Sequence, residues 1–322
     1  MTIQNICILG GGGFVGHHLT ALLASRGLNV RVPARRRNTV KDLVVLPSVE
    51  VVETDIHDLA SLKKLFDGMD AVINLVGLLH ESDSGKGDGQ QARRGSFQHG
   101  HVELPRKVVQ ACKDAGVRRL LHMSALGAEA DSRSSYQRSK AAGEALVMQA
   151  DLDVTVFRPS VIFGPGDSFL TLFADLLKLA PVVPLAGAHA RFQPVFVGDA
   201  ARAFATALDQ PETHGQRYSL CGPKVYTLAE LVRLTAASLG LCRVVMPLGE
   251  TRSYWFARLM EFKPGQKIMT RDNHYAMLTD NVCPDGFPAL FGQPTALESV
   301  IGYLSEADPR RNYMAYRTHA GR

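Results

Sequence analysis

The strongest constraint on this chain sits at its start. Asn5-Ile6-Cys7-Ile8-Leu9 is a short apolar run that reads as a buried strand, and Gly10-Gly11-Gly12-Gly13-Phe14-Val15-Gly16 follows it. A helical pattern then begins, with Leu19, Leu22 and Leu23 on one face. Strand, glycine turn and helix in this order form the dinucleotide-binding start of a doubly wound α/β fold. In Gly10-x-x-Gly13-x-x-Gly16, Gly10 permits the tight turn. Gly13 lets the backbone approach a pyrophosphate, and Gly16 lets the helix pack on the strand. The N–H groups of the helix start, from Phe14 and Val15 on, suit the phosphates.

At 322 residues the chain exceeds one such unit and suits a Rossmann domain with a smaller lobe. The predicted division is 1–165 completed by 190–222 for the dinucleotide, and 166–189 with 223–322 for a mainly helical substrate or lid lobe. The formal charge of +5 favours anionic ligands but is too scattered for nucleic acid. The five cysteines lie far apart without C-x-x-C, so they read as small core residues in a reducing compartment, with neither disulfide frame nor metal site. No apolar run approaches the ~18 residues a membrane span needs. The first strand starts within a few residues of Met1, so no leader is expected and the reading is cytoplasmic.

After the second strand, Asn29 to Ala34, come Arg35-Arg36-Arg37, with no acid between Asn29 and Val40. Arginines at this point suit the 2′-phosphate of NADP(H), with NAD(H) as the other candidate. After the third strand, Asp55 with Ile56 either meets the adenine or caps the helix from Asp58. The sequence leaves both open. The fourth strand ends on Val76-Gly77, where the nicotinamide side would pass. His80 to Gly100 reads as a long glycine-rich loop holding Arg93 and Arg94.

The candidate catalytic residues come next. A strand closes on Ser124-Ala125-Leu126-Gly127, and Tyr136-Gln137-Arg138-Ser139-Lys140 opens a helix predicted to run to about Ala150. Tyr136 and Lys140 are four apart and share a helical face. The ammonium is expected to favour the phenolate of Tyr136, and Lys140 also suits the ribose hydroxyls. Ser124 suits a substrate oxygen. Pro159 and Val161, past the next strand, are expected along the carboxamide. Helices are predicted from Phe169 to Leu179 and after Thr227, with Asp199 as another cap. Tyr254, Trp255, Leu259 and Phe262 form an aromatic stripe. It is either a lid helix on the pocket or an apolar surface for a quinone, a membrane or a partner. The tail from Asp308 reads as loose.

These motifs, with Arg158-Pro159-Ser160-Val161-Ile162-Phe163-Gly164-Pro165-Gly166-Asp167 and Phe192-Gln193-Pro194-Val195-Phe196-Val197-Gly198-Asp199, resemble the extended and atypical branch of the short-chain dehydrogenase/reductase superfamily. Within it the chain is most similar to the group related to the nucleotide-binding accessory subunit of mitochondrial complex I. The resemblance implies an NAD(P)-dependent oxidoreductase using Ser, Tyr and Lys. It equally implies a non-catalytic NADPH binder in contact with a respiratory complex or the inner face of a membrane. A related branch implies ubiquinone metabolism. The sugar-epimerase pattern has two adjacent Ser/Thr, whereas Ala125 follows Ser124 here. By that alignment the catalytic serine is missing; by the shorter S-x-x-G pattern Ser124 is in place.

Overall fold

The computed structural model describes residues 3–79, 81, 95–249, 251–253, 255, 258 and 270–305. Seven strands run parallel in one sheet: β1 Asn5–Leu9, β2 Asn29–Ala34, β3 Val49–Glu53, β4 Ala71–Asn74, β5 Arg119–Met123, β6 Asp153–Pro159 and β7 Gln216–Leu220. Their order is β7-β6-β5-β4-β1-β2-β3, so the chain winds outward from β1 to β3 and then restarts at β4 on the other side. The crevice between β1 and β4, in register from Ile6 opposite Ala71 to Leu9 opposite Asn74, is the point where ligands bind in such sheets. The expected doubly wound fold is what forms.

Among the described residues the α-helices longer than four residues are α1 Phe14–Ser25, α2 Leu59–Phe66, α3 Leu104–Ala115, α4 Ser135–Met148, α5 Phe169–Leu179, α6 Val197–Ala207, α7 Leu228–Ser238 and α8 Arg271–Ala276. Side chains alternate along β1, which explains the continuous apolar run. Ile6 and Ile8 meet Leu19, Leu23 and Phe204 from α1 and α6. Cys7 and Leu9 face the opposite layer, with Leu62 and Phe66 from α2 and Leu104 and Val108 from α3. A separate core, including Phe163, Leu170, Val183, Leu185, Leu231 and Val245, fills the smaller lobe. Besides helices, that lobe contains two-stranded pieces, such as Val182–Leu185 paired in parallel with Val244–Pro247.

Three expectations need correction. Cys221 and Cys283 are joined in a disulfide across 62 residues. Spacing along the chain does not reveal it, because only the fold brings the end of β7 to the returning C-terminal segment. Cys242 is exposed, which leaves Cys7 and Cys112 as the buried free thiols. Asp199 is no cap: it lies inside the first turn of α6, almost fully buried, and accepts from the backbone N of Thr295 at 2.6 Å while pairing with Arg202 at 2.7 Å. Asp58, not Asp55, caps α2 by accepting from the Ser61 amide. Thr227 does cap α7, in a reciprocal capping box with Glu230. Of the aromatic stripe, Tyr254, Leu259 and Phe262 lie outside the described residues, as do Arg93, Arg94 and the tail from 306.

Candidate active site

The candidate cofactor and catalytic residues fall at the C-terminal edge of the sheet. Gly10 takes φ +81°, which favours glycine. A Cβ on Gly16 would fall 2.1 Å from the Gly10 carbonyl oxygen, so only glycine lets α1 start this close to the turn. Gly13 is the N-cap of α1 and supplies no side-chain cap, and the first turn holds no acid. The early N–H groups of α1 therefore have no side-chain acceptor from Gly13 and present a partial positive charge. Phe14 is half-buried, with Val15 and Gly16 buried behind it. This cradle fits a pyrophosphate.

On the β4 side, Val76 and Gly77 follow the strand. A Cβ on Gly77 would sit 3.1 Å from the Lys140 Nζ, so the lysine head lies against this backbone. Lys140 is buried and donates to the Met123 carbonyl at 3.1 Å. Burial lowers its pKa to about 8. Tyr136 is half-buried one turn earlier. Its pKa is pushed up to about 12 by burial, opposite to the expected lowering by Lys140. Loss of hydration around the phenol is the cause, and the Lys140 ammonium is engaged at the Met123 carbonyl.

His101, which sequence reasoning missed, joins these elements. It lies in a π-helical turn, His99–Glu103, ahead of α3. The Leu78 amide donates to its Nε2 at 2.9 Å. The ring is therefore the Nδ1–H tautomer and donates to Ser139 Oγ at 2.8 Å, which in turn donates to the Tyr136 carbonyl at 2.7 Å. The imidazole stacks on Phe97 and meets the Tyr136 ring edge-on at 5.5 Å. Burial, then the Lys140 charge, lowers its pKa to about 3, so it stays neutral. Gly143 makes room for it, since a Cβ there would fall 1.9 Å from the His101 carbonyl oxygen.

Ser124 directly follows β5, as expected, but its hydroxyl is buried with no partner of hydrogen-bonding geometry. Its electrostatic neighbour is Glu144, one turn beyond Lys140 on α4. Glu144 accepts from Arg158 at 2.6 and 2.9 Å and from Arg217 at 2.7 Å, tying α4 to β6 and β7. Burial opposes its charge, but these contacts outweigh it and hold the carboxylate below its usual range. The i, i+4 spacing after Lys140 was a signal that could have found it. No such signal marks Asp272, from α8. Its carboxylate accepts from the Ser135 amide at 2.6 Å, the Ser134 hydroxyl at 2.8 Å and the Tyr136 amide at 3.2 Å. A remote residue thus caps the helix that carries Tyr136. Further along, Ser160 Oγ donates to Asn281 Oδ1 at 2.5 Å.

This arrangement of glycine turn, switch-point crevice and Tyr/Lys helix decides the relationship. A model of the NAD dependent epimerase/dehydratase family matches residues 6–221. The chain belongs to that family. It is an extended short-chain dehydrogenase/reductase by fold and motif. It is similar to the mitochondrial NADH dehydrogenase (ubiquinone) 1 alpha subcomplex subunit 9 of Mus musculus, 30% identical over 96% of this chain and 80% of the relative. A ceramide reductase of Caulobacter vibrioides is 31% identical over 73% of this chain and 70% of its own. A nucleoside-diphosphate-sugar epimerase structure from Staphylococcus aureus superposes with a TM-score of 0.71 at 19% identity, covering 94% of this chain and all of that one, which shows the fold.

The remaining residues singled out from the sequence sit around the same edge. Arg35 and Arg36 are exposed just past β2. Asp55 accepts from the His57 amide at 3.0 Å, and Ile56 packs on the α2–α3 core beside it. The Pro159 carbonyl accepts from the Leu126 amide and that of Val161 from the Val195 amide, which fixes the β6 exit. A cleft of about 280 Å³, lined by Gly127, Asp131, Gln137, Tyr275 and Thr279 among others, opens between the Ser124 loop and the segment after α8. Among the described residues no group of three metal-ligating side chains occurs, and no helix is long and apolar enough to cross a membrane.

Proposed function

We propose that this chain binds NADP(H) in preference to NAD(H) and is an oxidoreductase acting between a hydroxyl and a carbonyl. Residues 1–165 with 190–222 hold the dinucleotide; 166–189 with 223–322 cover the substrate. The observation that carries this is the meeting, on one sheet edge, of a side-chain-free glycine cradle and a buried lysine head against Gly77. Gly10, Gly13 and Gly16 would hold the pyrophosphate, and Asp55 and Ile56 the adenine. Val76, Gly77, Pro159 and Val161 would line the nicotinamide end. Arg35 and Arg36 would meet a 2′-phosphate.

When bound, the nicotinamide supplies or accepts hydride. Tyr136, with a pKa near 12, keeps its proton at neutral pH and suits donation to a carbonyl oxygen gaining charge. Lys140 directs one ammonium N–H to Met123 and has two left for ribose hydroxyls. Ser124, beside Glu144, offers the substrate oxygen little in this arrangement. Reduction, the reaction in the name of the Caulobacter relative, is the favoured direction. Nucleotide released on denaturation, its exchange rate and the affinities for NADPH and NADH test the cofactor reading. Arg35→Ala with Arg36→Ala should erase the preference for NADPH. Tyr136→Phe should lower carbonyl reduction by ~10²-fold or more while leaving nucleotide affinity intact.

A second reading is a non-catalytic NADPH-binding accessory protein of respiratory-complex or quinone metabolism, peripheral to a membrane. The buried Ser124 hydroxyl and the similarity to the complex I subunit over 96% of the chain favour it. One slowly exchanging NADPH per chain, with no carbonyl reduction by the parent chain, would decide for it.

A further inference from the structure

The segment that leaves α8 returns across the exits of β5 and β6, and Asn281 is the residue that fixes it there. Its backbone is paired on both sides. The Asn281 amide donates to the Arg191 carbonyl at 2.8 Å, and the Gln193 amide donates to the Asn281 carbonyl at 3.0 Å. Two residues on, the Cys283 amide donates to Gln193 Oε1 at 2.9 Å. These backbone contacts would hold the segment whatever side chain stood at 281. The asparagine side chain is used for something else. Among the described residues both acceptors of the Ser160 hydroxyl belong to Asn281, the side-chain Oδ1 at 2.5 Å and the carbonyl at 3.3 Å. Asn281 Nδ2 donates to the Leu126 carbonyl at 3.5 Å. The Leu126 amide in turn donates to the Pro159 carbonyl at 2.9 Å. One side chain therefore closes a ring of hydrogen bonds across the β5 and β6 exits. Ser160 is 4% exposed, so water is poorly placed to replace the acceptor that Asn281 supplies.

The sheet order shows which half of the crevice this ring serves. β5 and β6 lie on the β4 side of the β1–β4 crevice, whereas β2 and β3, with Arg35, Arg36 and Asp55 past their ends, lie on the β1 side. Asn281 thus acts on the nicotinamide half and is separated from the adenosine half by the crevice itself. The same segment contributes Tyr275, Leu278 and Thr279 to the cleft beside the Ser124 loop. Fixing Asn281 to Ser160 and Leu126 fixes that wall against the strand exits.

We propose that Asn281 is a positioning residue for the nicotinamide end of the bound dinucleotide. By holding the Ser160 hydroxyl and the Leu126 carbonyl it pre-forms the backbone from Pro159 to Val161, along which the carboxamide would lie. The proposal rests on the dinucleotide reading given above. The test measures the affinity of the full chain for NADPH and for adenosine 2′,5′-bisphosphate, which keeps the adenosine half and lacks the nicotinamide. Asn281→Ala should weaken NADPH binding ~10-fold, because binding must then order the β6 exit, and leave the bisphosphate within about twofold of the parent. Ser160→Ala, a smaller change that keeps the test open if Asn281→Ala folds poorly, should give the same selective loss. The double variant should lose little more than either single one, since both remove one interaction. An equal loss for both ligands would make Asn281 a support of the fold at large. NADPH affinity unchanged in the folded variants would mean that the exit is fixed without it. Either result overturns the proposal while the dinucleotide reading stands. A parent chain that binds neither ligand would overturn that reading, and the proposal with it.

Discussion

A neutral imidazole accepts one hydrogen bond and donates one, and His101 does both in a buried position between Leu78 and Ser139. His122 is buried too, with its Nδ1 facing the Asn74 amide at 3.2 Å. Both pKa values are lowered to about 3, first by burial and then by the Lys140 charge. Between the ordinary histidine value and about 3 the unfolded chain holds protons that the native rings refuse. This part of the stability is complete above pH ~6.5 and falls on acidification, by up to ~1.4 kcal/mol per pH unit per ring. Urea unfolding at pH 7 and pH 5 should show the loss. His101→Gln, which keeps an acceptor and a donor but cannot titrate, should flatten part of it. Glu144→Gln leaves Arg158 and Arg217 without a charged partner. Because both arginines are partly exposed, the expected cost is about 2 kcal/mol, read from the same urea midpoint. Tyr136 and Lys140 were legible because two residues on one helix carry the signal. His101 was not, because its partners lie on three separate elements.

At the scale of elements, α4 depends on groups from outside it. Asp272 caps its N-terminus across 136 to 138 positions of chain. Asp272→Ala should cost ~1–2 kcal/mol, the usual value of a helix cap. Hydrogen exchange should speed up at the Ser135 and Tyr136 amides first. If those amides stay as protected as in the parent, the cap is not what orders this turn. On the other side of the helix, Gly143→Ala places a Cβ 1.9 Å from the His101 carbonyl oxygen, and neither backbone can give way easily. A loss of about 3 kcal/mol is expected, at the upper end for overpacking. Gly302→Ala meets nothing within 4 Å and is the matched control in the same thermal melts. Helix bounds followed the periodic sequence closely: α5 spans Phe169–Leu179 as read, and α4 spans Ser135–Met148 where the reading ran on to Ala150. Caps set by neighbouring residues, as at Thr227, were readable. The cap set at a distance, at Asp272, was not, and neither was the buried pairing of Asp199 with Thr295 and Arg202.

For the whole molecule, the Cys221–Cys283 bridge ties the edge strand β7 to the segment that returns past the site. That segment also holds Gln193 and Ser160: the Gln193 amide donates to the Asn281 carbonyl at 3.0 Å, and the Cys283 amide donates to Gln193 Oε1 at 2.9 Å. By chain entropy a loop of 62 residues is worth about 4 kcal/mol. Reductant, or Cys221→Ser, should lower the melting temperature, and thiol titration of the unfolded chain without reductant should count two fewer thiols than with it. Equal counts would mean the bridge does not form in solution. By itself the sequence determined the doubly wound sheet, the glycine cradle and the Tyr136–Lys140 pair. Each rests on residues within a few positions of one another, where strand alternation, turn conformation and helical spacing operate. The tertiary structure decided the neutral His101 relay, the burial of the Ser124 hydroxyl, the upward shift of Tyr136, the remote cap from Asp272 and the cysteine pairing. Those depend on burial and on contacts between distant segments, and no local pattern encodes either.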